Sequence, residues 1–351
     1  MLNLGLLRQG GRNTWHNDIL YLGWSASYVE FLTDSPTVEI HFVTDAPAVC
    51  EENLGRIAVC VGNMQVPKTT LLLKEEQMTL TVETGTNIGG EQVRVRILKL
   101  SEAAFGLCGI ADILLAPDAA MTAAPAPKRR IEFVGDSITC GYGVEAKGSD
   151  TFRTATENPL KAYACLTAQA LESDYSLVSW SGNGVLSSWV PPEAVLPLQR
   201  NLMPRQYGYR NLCMDERLGL EAVHHDFAVD PVDLVVLNLG TNDASWVRKI
   251  DYREALFHDL YLGMIDEIHY YRPNTPILCV LGTLDQSLCE TARSAQRNFS
   301  QYVPGVRSEF TLLPLQLPRD GMGADGHPSL ITQQKTASLL AMQIRLMMHW
   351  S

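Results

Sequence analysis

The chain has 351 residues, of which 46 % are hydrophobic and 19 % are charged, so it can bury sizeable cores and wholesale disorder is excluded. At about 150 residues per domain, this length favours two domains. The 28 basic and 39 acidic side chains give a formal net charge of −11. The only clustered basic run, at 128–130, is too short to indicate a nucleic-acid partner.

The sequence also restricts the cellular location and the membrane class. The first residues lack the basic stretch followed by an apolar run that marks a signal peptide. No run of 18 apolar residues is present, which excludes an ordinary membrane-spanning helix. The eight cysteines include no C-x-x-C pair, so most are interpreted as buried apolar residues. We therefore expect a cytoplasmic protein that has no membrane partner.

Residues 1–118 contain a succession of short apolar–polar alternations. Met78, Leu80 and Val82 alternate with polar residues, and this period of two places them on one face of a half-buried strand. No long helical pattern interrupts the segment, which predicts an antiparallel β-sandwich of the jelly-roll kind. Similar strand patterns cover 28–32, 37–43, 56–61, 93–97 and 111–115.

The composition changes after residue 118. Residues 119–128 are small and include two prolines, which is typical of a linker. From 129 to 351, strand and helix patterns alternate, and this order predicts an α/β domain with a parallel sheet flanked by helices. The predicted strands are 131–134, 177–179, 232–239 and 277–281. The predicted helices are 162–171, 329–348 and a helix that has Tyr252, Leu256, Leu260, Met264 and Ile268 on one face.

Four segments are rich in small, polar or ionisable residues. Three of them lie at the carboxyl end of a predicted strand, and the fourth lies at the start of the last predicted helix. They are 135–139, 179–184, 240–243 and 323–329. Taken singly, each has an ordinary structural interpretation as a turn, a helix N-cap or a surface histidine. Ligands of open parallel sheets bind at the carboxyl ends of the strands, so the four segments together favour a catalytic site.

The four segments resemble, in the same order, the blocks of the hydrolases named for Ser, Gly, Asn and His, the SGNH or GDSL superfamily. The stretch 130–143 is similar to the first block of carbohydrate esterase family 2, as are 236–243 and 324–329. That family has a β-sandwich before its SGNH domain. The resemblance implies an SGNH hydrolase domain at 129–351 after an all-β domain.

The resemblance also implies the catalytic roles. Ser137 is the nucleophile and His327 is its general base, because a serine hydroxyl needs an adjacent base at neutral pH. The oxyanion is held by the backbone N–H groups of Ser137 and Gly182 and by the side-chain amide of Asn242. Gly184 is the alternative to Gly182 in the second block.

The group that orients His327 is left open. Most of the superfamily has an aspartate three residues before the histidine, where this chain has Ala324, whereas Asp325 lies two residues before it. Family 2 implies either Asp325 as the third catalytic member or a Ser–His dyad supported by a backbone carbonyl. Asp136 is interpreted as a turn or helix-start residue, and Asp243 as a residue that holds the third block in shape.

Three aromatic residues near the blocks are candidates for substrate binding. Several relatives carry a tryptophan just before the histidine as a sugar platform, and here that residue is Gly326. Trp189, Trp246 and Tyr142 are the candidates to replace it, although each tryptophan also has a core interpretation.

Other candidate sites have weaker patterns. Adjacent His224 and His225 would point apart and have no second ligand pair, so no metal site is predicted. Gly141 and Gly143 do not complete a nucleotide-binding motif, so no cofactor is expected. The segment 191–229 is either a cover over the active site or a surface excursion.

The four blocks predict hydrolase chemistry, and the resemblance to family 2 implies a serine esterase that removes O-acetyl groups from acetylated sugars, with plant-derived manno- or xylo-oligosaccharides as the expected substrates. The first alternative is an SGNH lipase or thioesterase acting on other acyl esters. The second is a carbohydrate-binding protein with a degenerate esterase domain. The oligomeric state is left open.

Overall fold

The computed structural model describes residues 4–350. The strands are β1 (Arg8–Gly10), β2 (Thr14–His16), β3 (Ile19–Leu22), β4 (Tyr28–Thr33), β5 (Thr37–Val43), β6 (Arg56–Val61), β7 (Thr69–Leu72), β8 (Gln77–Glu83), β9 (Val93–Lys99), β10 (Cys108–Leu115), β11 (Met121–Ala123), β12 (Arg130–Gly135), β13 (Asp174–Ser179), β14 (Leu234–Asn238), β15 (Ile277–Leu281) and β16 (Ser308–Leu312). The α-helices are α1 (Ser137–Cys140), α2 (Tyr163–Ala170), α3 (Met203–Tyr207), α4 (Leu212–Arg217), α5 (Thr241–Val247), α6 (Asp251–Tyr271), α7 (Cys289–Tyr302) and α8 (Leu330–Met348).

The first eleven strands form an all-β domain of two antiparallel sheets. One sheet has the order β1-β4-β9-β6-β7, with β11 also paired to β4, and the other has the order β2-β3-β10-β5-β8. Residues of β5 alternate between buried and half-buried positions along the strand. The buried sets of both sheets share one hydrophobic core, in which Phe31 and Ile97 of the first sheet join Ile40 and Ile110 of the second. This architecture confirms the predicted β-sandwich.

The segment interpreted as a linker differs from the prediction in part. Residues 121–123 form β11, which pairs antiparallel with β4, Met121 opposite Thr33. The two prolines of the segment follow this strand, so they interrupt no ladder hydrogen bond.

The second domain has a five-stranded parallel sheet of order β13-β12-β14-β15-β16. β12, β14 and β15 are buried along nearly their whole length, which explains their continuous apolar sequences. Helices flank the sheet, with α2 packed near α8 and α6 near α7. This arrangement confirms the predicted α/β fold. Because the strands are parallel, their carboxyl ends meet at one edge of the sheet.

The buried face of α6 is partly different from the predicted one. Met264 and Ile268 are buried as expected, but Tyr252, Leu256 and Leu260 are exposed. The buried face of the first half is formed by residues one position later in the chain: Arg253, Phe257 and Tyr261. A spacing of four drifts around a helix of 3.6 residues per turn, so the sequence stripe crosses from the solvent side to the core.

Helix α7 and strand β16 have no counterpart in the sequence-based assignment. The buried face of α7 consists mainly of Cys289, Ala292, Ala295 and Phe299. Apart from Phe299 these side chains are small, and the rest of the helix is polar, so the helix lacks the large, regularly spaced apolar residues by which α6 was recognised. Strand β16 at the sheet edge is only half-buried, so its sequence lacks a continuous apolar run.

The two domains share cores and buried ion pairs. Trp24 and Ala103 of the all-β domain belong to the same hydrophobic cluster as the α6 face. Arg12 of the all-β domain reaches Glu132 on β12 at 3.3 Å. The all-β domain is therefore packed directly on the sheet that carries the site.

Part of the long segment 191–229 packs against the all-β domain, and other parts of it are exposed at the surface, including Val195 and Leu196. Arg12 donates to the carbonyl oxygens of Tyr207 and Tyr209, and the Trp24 indole donates to that of Arg210. None of the residues 191–229 lines the pocket described below. No helix within the described residues is long and apolar enough to cross a membrane.

Candidate active site

Ser137 is presented where β12 ends at the sheet edge. Asp136 is the N-cap of α1, and its Oδ1 accepts the Ile138 N–H at 3.0 Å, so the chain turns sharply into the helix at Ser137. Thr139 lies so close to Gly135 that a side chain on the glycine would collide with it. The serine hydroxyl thereby comes to lie at the carboxyl end of the sheet.

His327 is brought to Ser137 by a contact between two loops. The Gly143 carbonyl oxygen accepts the Ala324 N–H at 3.1 Å, and a side chain at Gly143, whose φ is +56°, would collide with Ala324. His327 Nε2 lies 2.9 Å from Ser137 Oγ, although 190 positions separate the two residues in the chain. The fold thus pairs the predicted nucleophile with the predicted base.

The backbone sets the tautomer of His327. Its Nδ1 lies 3.2 Å from the carbonyl oxygen of Ala324, which can only accept a hydrogen bond. The ring proton is therefore on Nδ1, and Nε2 is left to accept the Ser137 hydroxyl proton. Burial lowers the pKa of the imidazole from its ordinary value of 6.5, which keeps the ring neutral and basic at pH 7.

Asp325 has other hydrogen-bond partners. Its Oδ2 accepts the Tyr142 hydroxyl at 2.9 Å and the Phe152 N–H at 3.0 Å. Asp325 itself has a left-handed backbone, with φ of +50°, and its carboxylate lines the same pocket as His327. Of the two alternatives for orienting the imidazole, this geometry matches the backbone carbonyl.

Tyr142 contacts His327 directly. Its ring stacks on His327 with a centroid separation of 4.0 Å and on Phe152 at 3.9 Å. The ring restricts the rotation of the imidazole, while its hydroxyl connects to Asp325. Burial and the neighbouring Asp325 raise the pKa of Tyr142, so it stays protonated as a donor.

Gly182 and Asn242 line the same pocket as Ser137. The Asn242 amide Nδ2 lies 3.0 Å from the Asn183 carbonyl oxygen and 3.2 Å from Asp136 Oδ2. Gly182 has a φ of +77° and open space around it. Gly184, the alternative, lies against the carboxylate of Asp243 and is absent from the pocket lining.

Two buried acids stabilise the loops that carry these groups. Asp243 Oδ1 accepts backbone N–H groups from three successive residues, the nearest being Leu186 at 2.7 Å. It therefore holds the segment that directly follows the second block, and not the third block as predicted. Burial raises the pKa of Asp243 to about 6 and that of Asp136 to about 7.

The pocket has a volume of about 720 Å³. Trp189 is 58 % exposed and lines it. Trp246 differs from the prediction: it is buried in the core, with its indole N–H donating to the Val195 carbonyl, and it does not line the pocket. The lining residues are Ser137, Tyr142, Ser181, Gly182, Trp189, Thr241, Asn242, Ala244, Ser245, Leu284, Asp285, Asp325 and His327.

Leu284 and Asp285 were missed by sequence reasoning. They follow Ile277–Leu281 at the carboxyl edge, so the rule applied to the other strands would have found them. Asp285 is engaged with its own loop, where its Oδ1 accepts the Ser287 N–H at 2.8 Å.

The histidine pair and one buried cluster were considered as metal sites. His224 stacks on Tyr209, and His225 lies beside Asp230, so they do not converge on one point. Within residues 4–350, the group that has metal-binding atom types at suitable spacing is Glu102, Cys140 and Glu157, whose atoms lie within 4.8 Å of one another. It lies outside the pocket lining.

A family model decides the classification of the chain. Residues 133–330 match the model described as the GDSL-like lipase/acylhydrolase family. The chain belongs to this family. The match begins in β12 and ends at the first residue of α8, so it includes all four blocks.

Relatives are found by sequence and by structure. The chain is 31 % identical over 238 residues to a cellulase/esterase, CelE, of Acetivibrio thermocellus, a match that covers 66 % of this chain but only 27 % of that protein. It is 25 % identical to an acetylxylan esterase/glucomannan deacetylase of Cellvibrio japonicus, over 81 % of this chain and 75 % of that protein.

Solved structures match both domains together. The acetyl xylan esterase Est2A of Butyrivibrio proteoclasticus superposes with a TM-score of 0.87 and 21 % identity, covering 100 % of this chain and 98 % of that chain. A family two carbohydrate esterase of Clostridium thermocellum, in complex with cellohexaose, has a TM-score of 0.84 and 24 % identity, covering 98 % of this chain and 100 % of that one. These likenesses establish a shared two-domain fold.

Proposed function

We propose that this protein is a serine esterase that removes O-acetyl groups from acetylated oligosaccharides through an acetyl-enzyme intermediate. The observation that carries the proposal is the 2.9 Å contact between Ser137 Oγ and His327 Nε2 in a pocket that also contains Gly182 and Asn242. These groups supply a nucleophile, a base and hydrogen-bond donors for an oxyanion.

In the first half of the reaction, Ser137 Oγ attacks the acetyl carbonyl carbon while its proton moves to His327 Nε2. The carbonyl oxygen becomes an oxyanion that accepts hydrogen bonds from the Ser137 and Gly182 N–H groups. The Asn242 amide becomes a third donor only when one of its two N–H groups leaves the Asn183 carbonyl or Asp136 Oδ2, which accept them in this structure. The bond between the acyl carbon and the sugar oxygen then breaks, and the Nε2 proton passes to that oxygen. Water repeats the sequence on the acetyl-enzyme and releases acetate.

The pocket combines polar groups with apolar surface. Most of its lining residues are polar or small, and the larger apolar surfaces come from Trp189, Tyr142 and Leu284. An exposed indole is a suitable stacking surface for a sugar ring, and a lipase would need an extended apolar tunnel.

The substrate class rests on the relatives. The acetylxylan esterase/glucomannan deacetylase similarity supports xylan- or mannan-derived oligosaccharides as substrates. Because the chain spans only 27 % of the cellulase/esterase, nothing of that protein's cellulase activity is proposed here.

The test compares acyl lengths and substrates. The purified chain should hydrolyse p-nitrophenyl acetate far faster than p-nitrophenyl octanoate and should release acetate from acetylated xylo- or glucomanno-oligosaccharides, with Ser137→Ala as the inactive control. Faster hydrolysis of the octanoate would instead favour a lipase or thioesterase. Binding of oligosaccharides without acetate release would favour a degenerate, carbohydrate-binding protein.

Substitution of Trp189 tests sugar binding separately from ester hydrolysis. Trp189→Ala should raise KM for an acetylated oligosaccharide several-fold and change p-nitrophenyl acetate hydrolysis little. Trp15, which is 39 % exposed and outside the pocket lining, supplies the matched control Trp15→Ala. Equal KM values for wild type and Trp189→Ala would contradict the role of Trp189 as a stacking surface for the sugar.

We also propose a cytoplasmic location. Within residues 4–350 all eight cysteines are unpaired thiols, and most are buried. Unpaired thiols are typical of a reducing compartment. Fractionation of the native host, followed by detection with an antibody, tests this proposal, and recovery from the medium would contradict it.

A further inference from the structure

Glu102 connects the all-β domain to the back of the catalytic site. It follows β9, and its side chain is fully buried. Its Oε2 accepts the N–H of Ser181 at 2.6 Å and lies 3.8 Å from Cys140 Sγ. Ser181 directly precedes Gly182, and Cys140 ends the helix that Ser137 begins. One carboxylate from the first domain therefore contacts both segments that supply backbone oxyanion donors.

The hydrogen bond to Ser181 has a specific consequence for Gly182. The direction of the Gly182 N–H depends on the rotation of the peptide unit between Ser181 and Gly182. The peptide before that unit is held by Glu102 through the Ser181 N–H, and the peptide after it is held by the Trp189 N–H, which donates to the Gly182 carbonyl at 2.8 Å. The donor peptide is thus fixed from both sides.

Gly182 needs such anchors. With a φ of +77° and no heavy atom within 4 Å of the position of a Cβ, no side-chain packing restricts it. Glycine has wide conformational freedom, so neighbouring hydrogen bonds must supply the order that a preorganised oxyanion donor requires.

Glu102 has other buried ionisable groups around it, an arrangement that would not be favoured if the residue served only the stability of the fold. Glu157, also fully buried, accepts the Glu102 N–H at 3.2 Å, and Lys99 is buried nearby on the Gly23 carbonyl. Burying two acids close together opposes their ionisation, and burial raises the pKa of Glu102 to about 7. An apolar side chain would fit a purely structural role better, since it would bury no polar group.

We propose that Glu102 is a positioning residue for the oxyanion site, fixing the peptide that carries the Gly182 N–H. The all-β domain is then part of the catalytic unit. This inference rests on the proposed esterase function, because the oxyanion exists only in that reaction.

The first experiment measures kcat and KM separately on p-nitrophenyl acetate. Glu102→Ala removes the acceptor and should lower kcat about 10- to 100-fold, because small misplacements of catalytic groups have effects of this order, while KM changes less than about 2-fold. Glu102→Gln keeps an acceptor oxygen at the same reach and should restore kcat to within about 3-fold of wild type.

A double-mutant cycle tests whether Glu102 acts through Gly182. Gly182→Ala strains the left-handed position and should itself disturb the donor. If both residues act on one N–H group, adding Glu102→Ala to Gly182→Ala should lower kcat by less than about 2-fold further. Multiplicative losses would overturn the inference.

Substitution of Arg217 is the matched control, because it weakens the attachment of the segment around Glu102 without removing Glu102. The Arg217 guanidinium donates to the carbonyl oxygens of Ala104 and Phe105, close to Glu102, but it contacts no residue of the second block. Arg217→Gln should lower the melting temperature and leave kcat unchanged. An equal kcat loss in Arg217→Gln and Glu102→Ala would show that domain docking matters and that Glu102 has no specific role.

The outcomes separate the two proposals. A wild-type protein without esterase activity defeats the proposed function, whereas an active wild type with an equally active Glu102→Ala defeats only the inference. If Glu102→Ala does not fold, Glu102→Asp serves instead, because it keeps the acid but withdraws it by one methylene. Glu102→Asp should then lose kcat, and full activity in it would defeat the inference.

Discussion

His327 Nδ1 lies 3.2 Å from the carbonyl oxygen of Ala324, the residue three positions before it, where most of the SGNH superfamily has an aspartate. The backbone thus occupies the place of a carboxylate beside the imidazole. A neutral carbonyl can orient the ring and fix its tautomer, but it offers less stabilisation to the imidazolium that forms during catalysis. On this geometry we propose that Ser137 and His327 act as a dyad.

The paired residues should behave as one unit. Ser137→Ala and His327→Ala should each lower kcat by about 10³-fold or more with little change in melting temperature, and the double variant should be hardly worse than either single variant. Steady-state kinetics on p-nitrophenyl acetate checks this expectation. Additive losses would mean that the two residues do not act together.

Asp325→Asn should have a small effect on turnover. The carboxylate accepts from Tyr142 and Phe152, and not from His327, so we expect less than about a 10-fold loss in kcat. Tyr142→Phe, which keeps the stacked ring but removes the hydroxyl, is the matched control and should lose a similarly small amount. A loss of about 10³-fold in Asp325→Asn at unchanged melting temperature would instead identify Asp325 as the third catalytic member.

The pH dependence of kcat/KM should follow the protonation of the His327 imidazole. Because burial lowers the pKa of His327 from 6.5, the base stays free of its proton until the pH falls below that value. Activity should therefore be retained on the alkaline side and decline with a midpoint below pH 6.5 as His327 becomes protonated. A pH–rate profile with an acidic midpoint well above 6.5 would contradict this assignment.

Glu132 should contribute strongly to the free energy of unfolding. Burial alone would raise its pKa, but Arg272 and Arg12 lower it to about 2, below the ordinary 4.5. The ionised form therefore stabilises the fold above about pH 4.5, and this contribution is lost as the pH falls towards 2. Glu132→Gln should lower the free energy of unfolding by about 3–5 kcal/mol at pH 7, because it leaves two buried guanidinium groups without their counter-charge.

Denaturant titration of Glu132→Gln at pH 7 and at low pH checks this expectation, and the difference from wild type should shrink in acid. The matched control is Glu290→Gln on α7, where an exposed i,i+3 pair with Arg293 should matter little. Equal stability changes in the two variants would contradict a special role for the buried group.

Chelators should leave the activity unchanged. In the pocket, the His327 nitrogens are engaged by Ser137 and Ala324, and the Asp325 carboxylate is engaged by Tyr142 and Phe152. Incubation with EDTA followed by an activity assay tests this. Inactivation that Zn²⁺ reverses would contradict the expectation and direct attention to Glu102, Cys140 and Glu157.

The sequence by itself determined the two-domain fold class, the four blocks and the choice of Ser137 and His327 as candidates. Strand periodicity and buried apolar runs follow from local side-chain chemistry, and glycine and polar residues at strand ends are visible without a structure. Helix α7 was missed because, apart from Phe299, its buried face contains no large apolar side chain.

Only the tertiary structure decided which groups meet. Asp325 and Trp246 are both close to the blocks in the sequence. In the structure the Asp325 carboxylate lines the pocket but accepts from Tyr142 and Phe152, whereas Trp246 is buried in the core. Glu102 is distant in the sequence, yet its carboxylate accepts the N–H of Ser181 in the second block. Local patterns specify elements, whereas side-chain direction and contacts between distant segments depend on packing of the whole chain.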